Sequence, residues 1–338
     1  MYMLKVAVIG LGDISKIHVP IIQNSTAAQL VAVCDIDESL SQQVPGVNFY
    51  TDYMDMLNGE ELDCVHICLP HYLHYPATKA CAERNIHVFQ EKPLASNVQD
   101  GKALVDLEAQ HPHLKIGISF QNRVNESVEK LQELIAEGEY GNVLGLKGLV
   151  TWYRPKRYYD DKPWRGSMEL AGGGVMINQS IHTLDLLQLF GGRIETIRGS
   201  VDTLVDIGYE VEDTASAHIT FKNGASGLFF ATNTNSVNSS VEFQAILEKG
   251  KFTIKDSILY QTDDNGQKVK LVEDSKLPGS KFYYGASHVK LINQFYTCIE
   301  QNTEGYIHAK DAQISMEMID AIYRSSAEKK AVKLGESK

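Results

Sequence analysis

The chain lacks any C-x-x-C cysteine pair, any apolar run approaching the roughly 20 residues that span a bilayer, and any lysine or arginine from Ile17 to Thr78. Its five cysteines, at 34, 64, 68, 81 and 298, are odd in number, and Cys34, Cys64 and Cys68 fall within apolar, strand-like runs. A disulfide framework is not expected: these thiols read as small packed hydrophobes, and a reducing cytoplasm suits them. Histidines such as His87, His111, His113 and His218 show no mutual ligand spacing, so no metal is expected. Basic residues are also short in number. Thirty-two Lys and Arg against 43 Asp and Glu leave a formal charge of −11, which disfavours nucleic acid and anionic membrane as partners. The opening MYMLKVAVIGLG is broken by glycine too soon for a signal peptide and reads as a first strand.

What is present fits a globular protein of two domains: 338 residues, 43% hydrophobic and 22% charged. Short, near-continuous apolar runs at 5–10, 30–35, 64–70, 87–92 and 115–120 suit strands buried on both faces, hence a parallel sheet. Helical patterns at 75–85 and 97–110 separate them, the second capped by Ser96 or Asn97. A helical pattern at 125–138 follows, and then the texture becomes alternating strands at 143–153, 214–221, 225–233, 240–248 and 251–262. Tight-turn pairs at Asn223-Gly224 and Lys249-Gly250 predict antiparallel hairpins. Helical patterns at 288–301 and 314–330 are expected to cover one face of that second sheet, leaving the other face open for a second copy. The fold class expected is α/β: an N-terminal doubly wound parallel sheet over residues 1–120, then an α+β domain over 121–338 with a large, mainly antiparallel sheet for substrate binding and oligomerisation.

The first strand runs into Gly10-x-Gly12-x-x-Ser15 and a helical pattern. Gly10 permits a tight turn, Gly12 lets the backbone approach a pyrophosphate, and Ser15 is small where helix meets strand. Alone, such a loop is equally an ordinary turn. The second strand, however, ends at Asp35, where a carboxylate holds the ribose hydroxyls of a dinucleotide. Asp37 and Glu38 follow, with no cation nearby to accept a 2′-phosphate, so NAD is expected over NADP.

Two further stretches stand out. Residues 170–192 carry a single charged side chain, Asp185, and a helix starting after the glycines would align Asn178, His182 and Asp185 on one face. Such a stripe reads either as a solvated face or as the wall of a cleft; the absence of Lys and Glu suits the cleft. The segment YRPKRYYDDKPWR, at 153–165, interleaves cations with aromatics and reads as a surface loop or a substrate loop. Tyr153, Arg157, Trp164 and Tyr283 offer aromatic faces and a guanidinium to a polyhydroxylated, even carboxylated, ring, though the same residues also suit packing and ion pairing.

The strings VIGLGDISKIH, VHICLPHYLHYPATKACAERNIHVFQEKPLA, PWRGSMELAGGGVMINQSIHTLDLL and YYGASHVKLINQFY, in this order, resemble the Gfo/Idh/MocA family, the relatives of glucose-fructose oxidoreductase and inositol dehydrogenase. The resemblance spans nearly the whole chain. It implies a Rossmann domain, an α/β domain whose open sheet mediates homodimers or homotetramers, and hydride transfer between NAD(P) and a sugar, inositol or related polyol. By position it implies Lys92 as the active-site lysine and His182 as the catalytic histidine, with Asn178 beside them at the substrate. The cofactor set it implies comprises Gly10, Gly12, Asp13, Ile14 and Asp35, with Pro70, His71, His74, Glu91, Lys92, Gln121 and Arg165. The Lys92–Pro93 bond is expected to be cis, as is common in the family.

Oxidising a secondary alcohol requires a proton acceptor working near neutrality. An imidazole starts near pKa 6.5 and a lysine near 10.4, so His182 is expected to accept the proton while Lys92 orients the hydroxyl and stabilises developing alkoxide. Many relatives carry aspartate where this chain has Asn178, which cannot accept a proton; Asp185 would then orient the imidazole instead. Two other functions share the scaffold: an NAD-dependent glycoside hydrolase with transient redox, and a non-catalytic NAD-binding regulator.

Overall fold

A computed structural model of the chain describes residues 3–276 and 286–334. Six parallel strands, β1 (Leu4–Ile9), β2 (Ala28–Cys34), β3 (Asn48–Tyr50), β4 (Cys64–Ile67), β5 (His87–Glu91) and β6 (Ile116–Ser119), form one sheet in the order β3-β2-β1-β4-β5-β6. Their apolar runs are buried on both sides because helices α1 (Ser15–Gln23), α2 (Tyr53–Gly59), α3 (His74–Ala82) and α4 (Val98–Gln110) link them as crossovers. The reversal of strand order beside β1 makes a doubly wound sheet with a crevice at its carboxyl edge. Asn97, rather than Ser96, caps α4, its side chain accepting from the Asp100 N–H. The three-residue β3, at the sheet edge, carried too little periodicity to be read beforehand.

Helix α5 (Glu126–Ala136) leads into β7 (Val143–Thr151). The chain then makes a helical excursion through α6 (Lys156–Asp160), α7 (Met168–Ala171), α8 (Val175–Asn178) and α9 (Ile181–Gly191). It returns as β8 (Ile194–Asp202), β9 (Thr214–Phe221), β10 (Ser226–Thr232), β11 (Glu242–Leu247), β12 (Gly250–Lys255), β13 (Ile258–Thr262) and β14 (Lys268–Glu273). The expected hairpins at Asn223-Gly224 and Lys249-Gly250 join β9 to β10 and β11 to β12. The sheet is mixed, however: β10 lies parallel to β7, which the long excursion between them permits. The run 251–262, read as one strand, is two, because Asp256 and Ser257 both take left-handed backbone angles (φ 54° and 62°) and turn the chain. Strands β8 and β14 were not foreseen.

Helices α10 (Ser287–Gln301) and α11 (Ala309–Glu328) and the two-residue β15 (Val332–Lys333) complete the chain. The nine-stranded sheet runs β14-β13-β12-β11-β7-β10-β9-β8-β15. Two compact units result: Met1–Gln121 with Lys276–Gln313, and Asn122–Ser275 with Ile314–Lys338. A division near residue 121 was expected; the return of 276–313 to the first unit was not. Its cause is the apolar face of α10, where buried Leu291, Ile292, Phe295, Tyr296 and Cys298 pack on α1, β5 and β6. The leucine, isoleucine and phenylalanine among them each contribute about 1.5–3 kcal/mol on burial. Helix α10 therefore covers the parallel sheet, correcting the expectation that it covers the second one. Among the described residues no helix is long and apolar enough to cross a membrane.

Candidate functional site

In the first unit, β1 ends in Gly10, whose N–H donates to the Cys34 carbonyl at 2.8 Å. Its φ is +93°, and a Cβ there would lie 2.6 Å from the Cys68 carbonyl oxygen, so only glycine fits. The Ser15 hydroxyl donates to the Gly12 carbonyl at 2.7 Å, folding the loop onto the start of α1, where free helical N–H groups favour a phosphate. Asp13 is exposed and Ile14 half-buried beside them. At the end of β2 the Asp35 carboxylate is pinned twice, Oδ2 accepting from Leu11 N–H at 2.7 Å and Oδ1 from Asp37 N–H at 3.0 Å. Each oxygen keeps a lone pair for a ribose hydroxyl. Glycine loop, helix start and fixed carboxylate fit NAD at the carboxyl edge of the sheet.

The loops after β4 and β5 reach the same edge. Pro70 precedes the short turn His71–Leu73 that opens α3. The ring nitrogens of His74 lie 2.7 Å from the Pro93 carbonyl oxygen and 2.9 Å from that of Leu69, tying the two loops together. Both His71 and His74 are buried, and burial lowers the pKa of His74. Lys92 follows β5, half-buried, and its bond to Pro93 is cis, as expected.

The Glu91 carboxylate lies in the interior. It lies 2.9 Å from His18 Nε2; His18 Nδ1 lies 2.8 Å from His66 Nδ1, and His66 Nε2 lies 2.8 Å from the Tyr296 hydroxyl. Burial opposes charge on His18, but Cys68 and Glu91 outweigh it and raise its pKa to about 10. Burial likewise pushes Glu91 up, and the hydrogen bond and charge of His18, with His288, reverse this and hold it at about 2. His66, buried and facing that cation, is lowered. A consistent proton pattern follows, with His18 donating from both nitrogens and His66 passing its own N–H to Tyr296. The side chain of Glu91 thus holds the strand end preceding Lys92. None of this buried relay was legible in the sequence, since its members lie 18 to 296 residues along the chain.

In the second unit the predicted single helix is broken. Helix α8 ends at Asn178 and α9 begins at Ile181, with Ser180 between them donating its hydroxyl to the Val175 carbonyl at 2.8 Å. Asn178 and His182 are both half-buried. Asp185 does not serve the imidazole: it is buried, and its two oxygens accept from Arg123 Nε at 2.8 Å and Nη2 at 2.6 Å. Gln121 is buried at the start of the turn that carries Arg123. The signal missed was Arg123 itself, a lone cation just beyond the parallel sheet.

The expected substrate residues divide. Arg157 is exposed and pairs with Asp161 at 3.5 Å. The guanidiniums on aromatic faces belong instead to Arg154, 4.8 Å from the Trp152 ring and 5.4 Å from Tyr158, and to Arg165, 4.3 Å from Tyr158 and 5.9 Å from Trp164. Tyr158 in turn accepts from Gln179 Nε2 at 2.9 Å, next to Asn178. Tyr153 is exposed, and Tyr283 lies outside the described residues.

Residues 4–117 match the oxidoreductase family of NAD-binding Rossmann fold, and residues 128–253 match the GFO/IDH/MocA C-terminal domain. The chain is 23% identical to the myo-inositol 2-dehydrogenase of Thermotoga maritima, over 98% of this chain and 99% of that one. It is 24% identical to the D-glucoside 3-dehydrogenase of Escherichia coli, covering 96% and 95% respectively. Among solved structures it is similar to the WlbA dehydrogenase of Bordetella pertussis in complex with NADH and UDP-GlcNAcA, with 25% identity, TM-score 0.86 and coverage of 99% and 100%. A levoglucosan dehydrogenase complex with NADH shares the fold at 20% identity and TM-score 0.87, over 99% and 100%.

Proposed function

The chain belongs to the Gfo/Idh/MocA family of NAD-binding oxidoreductases, and on that premise we propose that it oxidises a secondary alcohol of a sugar, inositol or related cyclic polyol. One observation carries the reading. Lys92 follows β5 at the same carboxyl edge of one parallel sheet as the Gly10–Gly12 loop after β1 and Asp35 after β2. Bound NAD supplies the two-electron acceptor there. Lys92 offers an ammonium to the substrate oxygen, where it orients the hydroxyl and stabilises negative charge as the O–H proton leaves. His182 accepts that proton, since a free imidazole ordinarily titrates near 6.5, much closer to neutrality than a free lysine near 10.4. Asn178 hydrogen-bonds the substrate and holds no charge in the exchange.

Names of similar proteins support the substrate class: inositol, glucoside and an acidic nucleotide sugar are all hydroxylated rings. A homo-oligomer contact on the open face of the nine-stranded sheet is supported by exposed Leu228 and Phe230 on β10. The test is a panel of free sugars, inositols and aryl glycosides with NAD. Accumulating NADH supports the proposal. Aglycone release without NADH would mark a hydrolase, and binding of NADH with no turnover on any member would mark a regulator; either result defeats it.

A further inference from the structure

We propose that Glu212 is a positioning residue, clamping the glycine run before α8 so that Asn178 and His182 are presented in one fixed arrangement. Its carboxylate Oε2 accepts from Gly174 N–H at 2.6 Å and Oε1 from Met176 N–H at 2.9 Å, while its backbone carbonyl accepts from Val175 N–H at 3.1 Å. One residue thus satisfies three consecutive N–H groups at the start of a helix, which otherwise lack partners. The Tyr323 hydroxyl of α11 donates to Oε2 as well.

The glycines admit this grip. A Cβ on Gly174 would lie 1.9 Å from the Glu212 carbonyl oxygen, and one on Gly173, whose φ is +141°, would lie 2.8 Å from the Tyr323 hydroxyl. The grip extends toward the reactive groups through few bonds. Helix α8 has only four residues, and Ser180, fully buried, donates its hydroxyl and its N–H to the Val175 carbonyl at 2.8 and 3.0 Å. Val175 itself donates to Glu212, and His182 stands two residues past Ser180.

Glu212 is 3% exposed and meets no cation among the described residues; burial raises its pKa, and hydrogen bonds from Tyr323, Met176 and Gly174 pull against that rise. A serine cap would secure a helix start more cheaply than a buried carboxylate. The carboxylate instead fixes two backbone donors and a phenol about one centre, with the backbone carbonyl of the same residue holding a third donor, the rigidity that a catalytic group requires, since a displacement of about 1 Å can cost about 100-fold in rate.

The inference rests on the proposed role of His182, and its test separates the two. Glu212→Gln keeps the shape but sets an amide NH2 against a backbone N–H; Glu212→Ala removes the carboxylate and leaves only the backbone carbonyl bond to Val175; Tyr323→Phe removes one bond. Turnover, KM, NADH affinity and amide hydrogen exchange over 174–184 are measured in each, with His182→Ala beside them. In Glu212→Gln we expect kcat to fall about 100-fold, with KM and NADH affinity unchanged and exchange over 174–184 faster than in the unmodified protein. Tyr323→Phe should shift kcat and exchange in the same direction by less. Full kcat in Glu212→Gln, or lost kcat with unchanged exchange, overturns the proposal. If Glu212→Ala does not fold, the other two variants give the same readings. An active His182→Ala protein would defeat the reading of His182 alone, because the exchange result stands independently of it.

Discussion

Arg123 and Asp185 meet through two parallel contacts of 2.8 and 2.6 Å, with Asp185 1% exposed. The pair joins the turn at Gln121–Val124 to the middle of α9, the helix that carries His182. Removing the guanidinium strands a buried carboxylate, so Arg123→Ala should cost about 3–5 kcal/mol, read as a lowered urea midpoint. Arg123→Lys, which replaces the planar fork with a point charge, should recover only part of that. A midpoint unchanged in Arg123→Ala would show the pair to be incidental.

The His18–Glu91 pair predicts a pH window for stability. Glu91, held at about 2 against an ordinary 4.5, contributes fully above 4.5 and loses its contribution as pH falls through about 2. His18, raised to about 10 from 6.5, contributes fully below 6.5 and loses its contribution as pH rises through about 10. Both terms are complete between 4.5 and 6.5. The urea midpoint of the unmodified protein minus that of Glu91→Gln should be largest in that interval and shrink on both sides. A difference independent of pH would mean that the pair is not ionised.

Lys92→Ala and His182→Ala should each reduce turnover about 100-fold or more, with NADH affinity retained in a fluorescence titration. Activity close to that of the unmodified enzyme in either variant removes that residue from the proposed chemistry.

Asp35, pinned by Leu11 and Asp37, should set cofactor choice. Asp35→Ser removes the charge that repels a 2′-phosphate and the acceptor that a ribose hydroxyl needs. Affinity for NAD should drop about tenfold, roughly 1.4 kcal/mol, while affinity for NADP rises. An unchanged preference would place cofactor discrimination elsewhere.

Legibility followed the range of the interactions. Strand β9 and the α10 pattern were readable to within a residue because period-2 and period-3.6 apolar spacing is local. The Gly10 turn and the Lys92–Pro93 element were legible as well, being short motifs whose chemistry is contained in a few neighbours. The break at Gln179–Ser180 was hidden because Ile177, Ile181 and Leu184 keep a helical spacing across it. What interrupts the helix there is a serine hydroxyl bonding backward and a clamp from Glu212, 38 residues away from Gly174.

By itself, then, the order of residues determined the parallel sheet and the glycine loop with its acidic partner at Asp35, since each depends on periodicity or on residues close in the chain, whereas Lys92 and His182 were singled out by resemblance to a family. Only tertiary structure decided that Glu91 faces His18, that Asp185 belongs to Arg123, that α10 returns to the first unit, and that Glu212 grips the glycines. Each of these satisfies a buried charge, a helix-end donor or an apolar face by bringing together distant segments, and spacing along a chain does not say which distant partner will be the one to arrive.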